Sequence, residues 1–213
     1  GEGNVGRPST YQQKLIDLAY LLRFTFDNEE LPFYLVEIAP YRYESILSPA
    51  QIREAQFAAS QSLYFSGIVS TNDLVPMEEA DRIHPSNKQS IGDRLANLSL
   101  LETYGFDTLE AHSPSFERME MIGDTIVLHF KNTYKGLQNE GEEITGFELG
   151  NDQHEFHPVR ATFGKDQHCI VLIVGNQTNT PAIRYCFKNY QVGSVKNSSG
   201  LPLIPFRTDQ WAE

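Results

Sequence analysis

Apolar positions in the first hundred residues follow two spacings in turn. Residues 11–24 place Leu15, Leu18, Ala19 and Leu22 on one side at helical spacing. Ser9 and Thr10 stand three residues ahead of Gln12 and Gln13, so either can open that helix through a capping box. After Pro32, residues 33–39 (Phe-Tyr-Leu-Val-Glu-Ile-Ala) form a nearly continuous apolar run, the pattern of a strand covered on both faces. Ser48-Pro49-Ala50-Gln51 is a second helix start, with Ser as N-cap and Pro at the first helical position. Ile52, Ala55, Gln56 and Ala59 continue that helix, and residues 67–71 read as a second short strand. Ser86-Asn87-Lys88-Gln89 is a further capping box, and Ile91, Leu95, Leu98 and Leu101 carry its stripe to about Tyr104.

The period changes near residue 107. Residues 125–130 alternate, with Ile126, Leu128 and Phe130 on one face, and residues 169–174 and 183–187 are similar short strands. Turn signals such as Ile122-Gly123-Asp124 and Phe163-Gly164-Lys165-Asp166 separate them. The pattern predicts an α/β part over residues 1–106 and an antiparallel β-sandwich over residues 107–213, with the break near 105–114. Two strands cannot cover the apolar faces of two helix layers. The α/β part is therefore expected to be incomplete, its other strands lying upstream of Gly1. A start at Gly1-Glu2-Gly3-Asn4, with neither Met nor a signal sequence, fits a chain cut from something longer.

Composition narrows the classes. A formal net charge of −11 with no basic stripe argues against nucleic acid as a partner. No apolar run approaches the roughly 18 residues that cross a bilayer, so no membrane span is expected. Cys169 and Cys186 are too few for a disulfide framework, and either a bridge or two thiols fits. Asn97, Asn176 and Asn197 match the glycosylation pattern, which also arises by chance.

Asp81-Arg82-Ile83-His84-Pro85 carries the most suggestive chemistry. A carboxylate three residues before a histidine can turn back on the imidazole, fix its tautomer and stabilise the imidazolium. The loop leaves the carboxyl edge of the predicted sheet, where α/β folds place their sites. Taken alone, the spacing also fits a solvated loop with Asp81 as a cap. It would suit a metal pair as well, but no third His or Cys lies nearby.

The stretch from Asp81 to Gln89, with Ile91-Gly92 and Arg94-Leu95-Ala96, resembles the D-x-x-H-P block of sialate O-acetylesterases, which are SGNH (GDSL-like) hydrolases. Other segments resemble the same family in the same order. Residues 1–6 look like the tail of its Q-G-E-x-N block, residues 33–43 like its "PFY-V-IAPY-Y" strand and residues 52–56 like its "REAQ" helix. Ser70-Thr71-Asn72-Asp73 resembles a strand end that usually reads S-T-D, and residues 201–211 resemble its closing "GLPASPFRTDxW". The resemblance implies the C-terminal part of an SGNH-type three-layer α/β domain followed by a β-sandwich. It implies His84 as general base and Asp81 as the residue that orients it. It also implies Glu2 and Asn4 as oxyanion or substrate ligands, no cofactor, an O-acetylated sugar as substrate, and a secreted, periplasmic or lysosomal setting.

The family's nucleophile lies in a G-x-S block ahead of the Q-G-E block, and no serine here stands in such a context. The nucleophile is therefore expected from an upstream segment of the same protein, or a covering chain. His154, His157 and His168, with Asp152 and Glu155, fall in turns without ligand spacing. Tyr34 reads as core, while Tyr41 and Tyr43, just past the strand's carboxyl end, fit either a stacking platform for a sugar or a structural role. Residues 206–211 read as a segment for docking between domains. The rival reading is a carbohydrate-binding or structural β-sandwich module with a non-catalytic α/β remnant.

Overall fold

The computed structural model describes residues 1–175 and 181–211. It divides into two units, one of Gly1–His112 with Lys188–Tyr190, the other of Ser113–Phe187 with Gln191–Glu213. The first unit contains three fifteen-residue helices, α1 (Tyr11–Thr25), α2 (Ser48–Ser62) and α3 (Lys88–Glu102). Between them lie two short strands, β1 (Phe33–Val36) and β2 (Ser66–Val69), which pair in parallel from Phe33↔Ser66 to Val36↔Val69.

One core gathers Tyr11, Leu15, Leu35, Ile52, Ala55 and Ala59 from α1, β1 and α2, with Ile38 from just beyond β1. A second joins Val69, Leu98 and Ala111. Leu98 reaches Gly67 so closely that a Cβ there would stand 2.9 Å from its Cδ2. Of the predicted α1 stripe, Leu15 and Ala19 are buried but Leu18 is 43% exposed. In α3 only Leu98 is buried.

The helix starts differ from expectation in a consistent way. No side chain caps α1, whose first turn follows a 3-10 turn at Pro8–Thr10. Ser48 lies inside α2 instead of capping it, and its hydroxyl accepts the Gly6 N–H at 2.6 Å. Asn87, not Ser86, caps α3 by accepting from the Ser90 N–H. The strand predicted over 33–39 ends at Val36, because Ile38 N–H donates to the Gln56 side chain, not to a strand.

The second unit is antiparallel. Its strands are β3 (Ser115–Ile122), β4 (Thr125–Lys131), β5 (Leu137–Asn139), β6 (Phe147–Gly150), β7 (Phe156–Pro158), β8 (Ala161–Phe163), β9 (Cys169–Ile173), β10 (Ala182–Tyr185), β11 (Val195–Asn197) and β12 (Phe206–Arg207). They form sheets in the orders β3-β4-β9-β8, β12-β10-β6-β7 and β11-β5. One core receives Ile126, Leu128, Ile170 and Leu172 from the first sheet and Phe147, Ile183, Tyr185 and Phe206 from the second. The inward alternation read at residues 125–130 is the burial pattern of β4.

Residues 206–211 bind within this unit. Asp209 receives both arms of the Arg184 guanidinium at 2.9 Å, and Trp211 stacks on His154 at 3.9 Å. Both cysteines are free thiols, Cys186 buried and Cys169 half-buried. Asn197 is fully buried and donates to the Asn132 carbonyl, which leaves no room for a glycan. The Asn97 side chain lies on an exposed position of α3, and Asn176 lies outside the described residues. No helix among the described residues is long and apolar enough to cross a membrane.

Candidate active site

The loops that leave the carboxyl ends of β1 and β2 share a buried anchor. Glu37 extends β1 by one rung, its N–H donating to the Val69 carbonyl at 3.0 Å. Its carboxylate accepts from the Ser70 hydroxyl at 2.6 Å and the Thr71 N–H at 3.0 Å, with Arg53 Nε 3.9 Å away. Burial pushes the Glu37 pKa up, against Arg53, Ser70 and Thr71 pulling it down. Gln56 covers the next stretch of β1 like a rung of sheet, accepting from Ile38 N–H at 2.9 Å and donating to the Val36 carbonyl at 3.1 Å.

The loop from β2 carries the predicted acid–base pair. Asp73 takes both arms of Arg94 at 2.7 Å, and Arg94 also donates to the Ser70 carbonyl at 2.8 Å. Beyond it, Glu79 closes the loop by accepting from the Ser86 N–H at 2.9 Å and from Arg82 at 3.2 Å. The Ser86 amide holds the Glu79 carboxyl below the usual carboxylate range.

Asp81 and His84 therefore ride on a loop pinned at both ends. Asp81 Oδ2 accepts from Arg42 Nη1 at 2.7 Å. His84 is exposed, and among the described residues no hydrogen bond joins it to Asp81. The structure brings Asp81 to Arg42, leaving Oδ1 without that contact on a side chain 72% exposed. A carboxylate has lone pairs for both a guanidinium and an imidazole.

Glu2 and Asn4 form a 3-10 turn. Gly1 lies against Ile38, where a Cβ would collide with the Ile38 side chain. The turn thus reaches the carboxyl end of β1, the same end as the Asp81 loop. Burial, then the Glu2 charge, pushes the Tyr43 hydroxyl up to about 12. Tyr43 meets Tyr41 edge to face at 4.7 Å. The Tyr43 hydroxyl and both amide atoms of fully buried Asn72 have no hydrogen-bond partner among the described residues. A buried polar group without a partner is costly, on the order of 1–3 kcal/mol. Tyr34 packs toward Leu98 and shares a 2.6 Å hydrogen bond with Thr103.

Among the described residues, no three His, Cys, Asp or Glu side chains are placed to hold a metal. His168 bonds Thr133 at 2.7 Å, away from the His154–Trp211 stack. Sequence reasoning missed Arg42, Glu79 and the Asp73–Arg94 pair. The run Glu78-Glu79-Ala80-Asp81 offers three carboxylates ahead of His84, and nothing local says which closes the loop and which faces Arg42.

Neither the comparison with protein-family models nor that with curated proteins gives a match. Among solved structures, the chain is similar to the crystal structure of XAC1771, a carbohydrate acetylesterase from Xanthomonas citri. The likeness has a TM-score of 0.86 at 26% identity and covers 99% of this chain. The chain spans 49% of that protein's length. The helices and antiparallel sheets described above thus match an esterase-like fold.

Proposed function

We propose that this chain is the acid–base half of a serine carbohydrate esterase that removes O-acetyl groups from sialic acid or a related sugar. The likeness to a carbohydrate acetylesterase supports a carbohydrate esterase function. The observation that carries the reading is an Asp-x-x-His loop at the carboxyl end of a parallel strand pair in that fold. In this reading the α/β unit is the C-terminal part of an SGNH-type domain and the antiparallel unit a β-sandwich.

His84 takes the proton of a serine supplied by an upstream segment, the hydroxyl attacks the acetyl carbonyl, and an acyl-enzyme forms as the sugar oxygen leaves with that proton. Water, deprotonated by His84, then releases acetate. Asp81 orients the imidazole through the carboxylate oxygen not held by Arg42. Asn4 donates to the oxyanion, and Glu2 supports Asn4 or the sugar. No cofactor is required, and the setting is secreted, periplasmic or lysosomal. Aromatic residues at the opposite end of the strands support a covering segment. Phe24 and Tyr64 are 85% and 83% exposed there, beside a cleft of about 650 Å³.

The absence of an Asp81–His84 hydrogen bond favours the rival, a carbohydrate-binding or structural module with a non-catalytic α/β part. Acetate release from an O-acetylated sialic acid separates the two, using this chain joined to the serine-bearing segment. The esterase reading expects His84→Ala to lower turnover by about 10²–10⁴-fold. Turnover indifferent to His84 leaves the binding module.

A further inference from the structure

Lys188–Tyr190 lies in sequence between β10 and β11, about a hundred residues beyond the loops of the α/β unit, yet it belongs to that unit. Hydrogen bonds tie it to the two loops described above and to Arg53 of their anchor. Arg53, 2% exposed, donates to the Lys188 carbonyl and, at 3.4 Å, to the Asn189 carbonyl. The Asn189 carbonyl also accepts the Tyr41 N–H at 3.1 Å, and its side chain donates to the Tyr43 carbonyl at 2.7 Å. The Tyr190 hydroxyl donates to the Val75 carbonyl at 3.0 Å. The Tyr190 ring lies 5.8 Å from the Arg42 guanidinium, the group that holds Asp81. Arg42 in turn donates its N–H to the Ala80 carbonyl at 2.9 Å, next to Asp81.

We infer that Lys188–Tyr190 is a strap that positions the acid–base loop, with Asn189 fixing the loop after β1 and Tyr190 fixing both Val75 and Arg42. This rests on the proposed esterase function and adds to it a role for sequence that lies within the β half. Asn189 and Tyr190 are positioning residues: they act on the reacting groups through Arg42 and the loop backbones. Freeing them lets Asp81 and His84 drift, and a displacement of about 1 Å from productive geometry costs on the order of 10²-fold in rate.

The test uses the protein carrying its nucleophilic serine, with Asn189→Ala, Tyr190→Ala and Tyr190→Phe made alone and on His84→Ala. The expected result is a fall in kcat of roughly 10–100-fold for the alanine variants, with KM little changed. Tyr190→Phe, which keeps the ring under Arg42 but loses the bond to Val75, recovers only part of the loss. On the His84→Ala background neither alanine variant lowers kcat further, since both act through the same loop. Losses that multiply with that of His84→Ala, or parent-level kcat, overturn the inference. Full activity in His84→Ala would overturn the esterase reading instead. Amide exchange in this chain decides the matter independently of turnover and of any variant that folds poorly. Tyr190→Phe should speed exchange at the Arg42 and Ser86 amides, and unchanged protection there would refute the strap.

Discussion

A carboxylate taken out of water is costly unless its neighbours donate to it, and the acidic residues of this chain differ in how that demand is met. Glu37 receives Ser70 and Thr71 and ties two strand ends to α2 through Arg53. Glu79 receives the Ser86 amide, and its pKa lies below the ordinary value because of that donation. An unfolded glutamate titrates near about 4.3, so the contribution of Glu79 is whole above that value and fades as pH falls through its folded pKa. Urea unfolding should therefore find Glu79→Gln less stable than the parent at about pH 7, with a smaller gap at about pH 3. A gap of the same size at both pH values would refute this. Asp209 titrates low as well: burial pushes its carboxyl up, but the Arg184 fork, Trp211 N–H and Arg207 outweigh it. Breaking this buried pair with Arg184→Met should cost roughly 3 kcal/mol, and replacing both partners by apolar residues should recover much of it. Denaturant midpoints of the single and double variants check both halves of that statement.

At the scale of elements, Gly67 lets α3 settle on β2, since Leu98 and Tyr34 fill the space a side chain would need. Gly67→Ala should force Leu98 from its rotamer and destabilise the chain by about 1–3 kcal/mol. A melting temperature unchanged by that substitution would show that the helix–strand approach has slack. The three helices and the inward face of β4 were legible because local periodicity encodes them. Their caps were less legible. Ser48 and Ser86 look like N-caps, but one hydroxyl is taken by Gly6 and the other yields to Asn87, each decided by a partner or a turn that spacing does not report. The apolar run at 33–39 hid the end of β1 for a similar reason. Gln56, from α2, takes the rung a strand would have filled. In the candidate site, the Asp81 loop stood out in the sequence, while Arg42, Arg94 and residues 188–190 did not. Their partners stand 39, 21 and more than a hundred residues away in sequence.

For the whole molecule, the proposed function sets an acid–base loop on an esterase-like fold and takes its serine from another segment. This chain alone should release acetate from an O-acetylated sialic acid no faster than buffer, and the same chain joined to the serine-bearing segment should turn it over. Turnover by the chain alone would mean that one of its own serines is the nucleophile. The most direct measurement of the central claim is chemical rescue of His84→Gly in the joined protein. If His84 is the base, added imidazole should restore a part of the lost acetate release that grows with imidazole concentration and with the fraction unprotonated. An inactive variant that imidazole leaves inactive, or one that needs no rescue, would contradict the assignment of this chain as the acid–base half of an esterase.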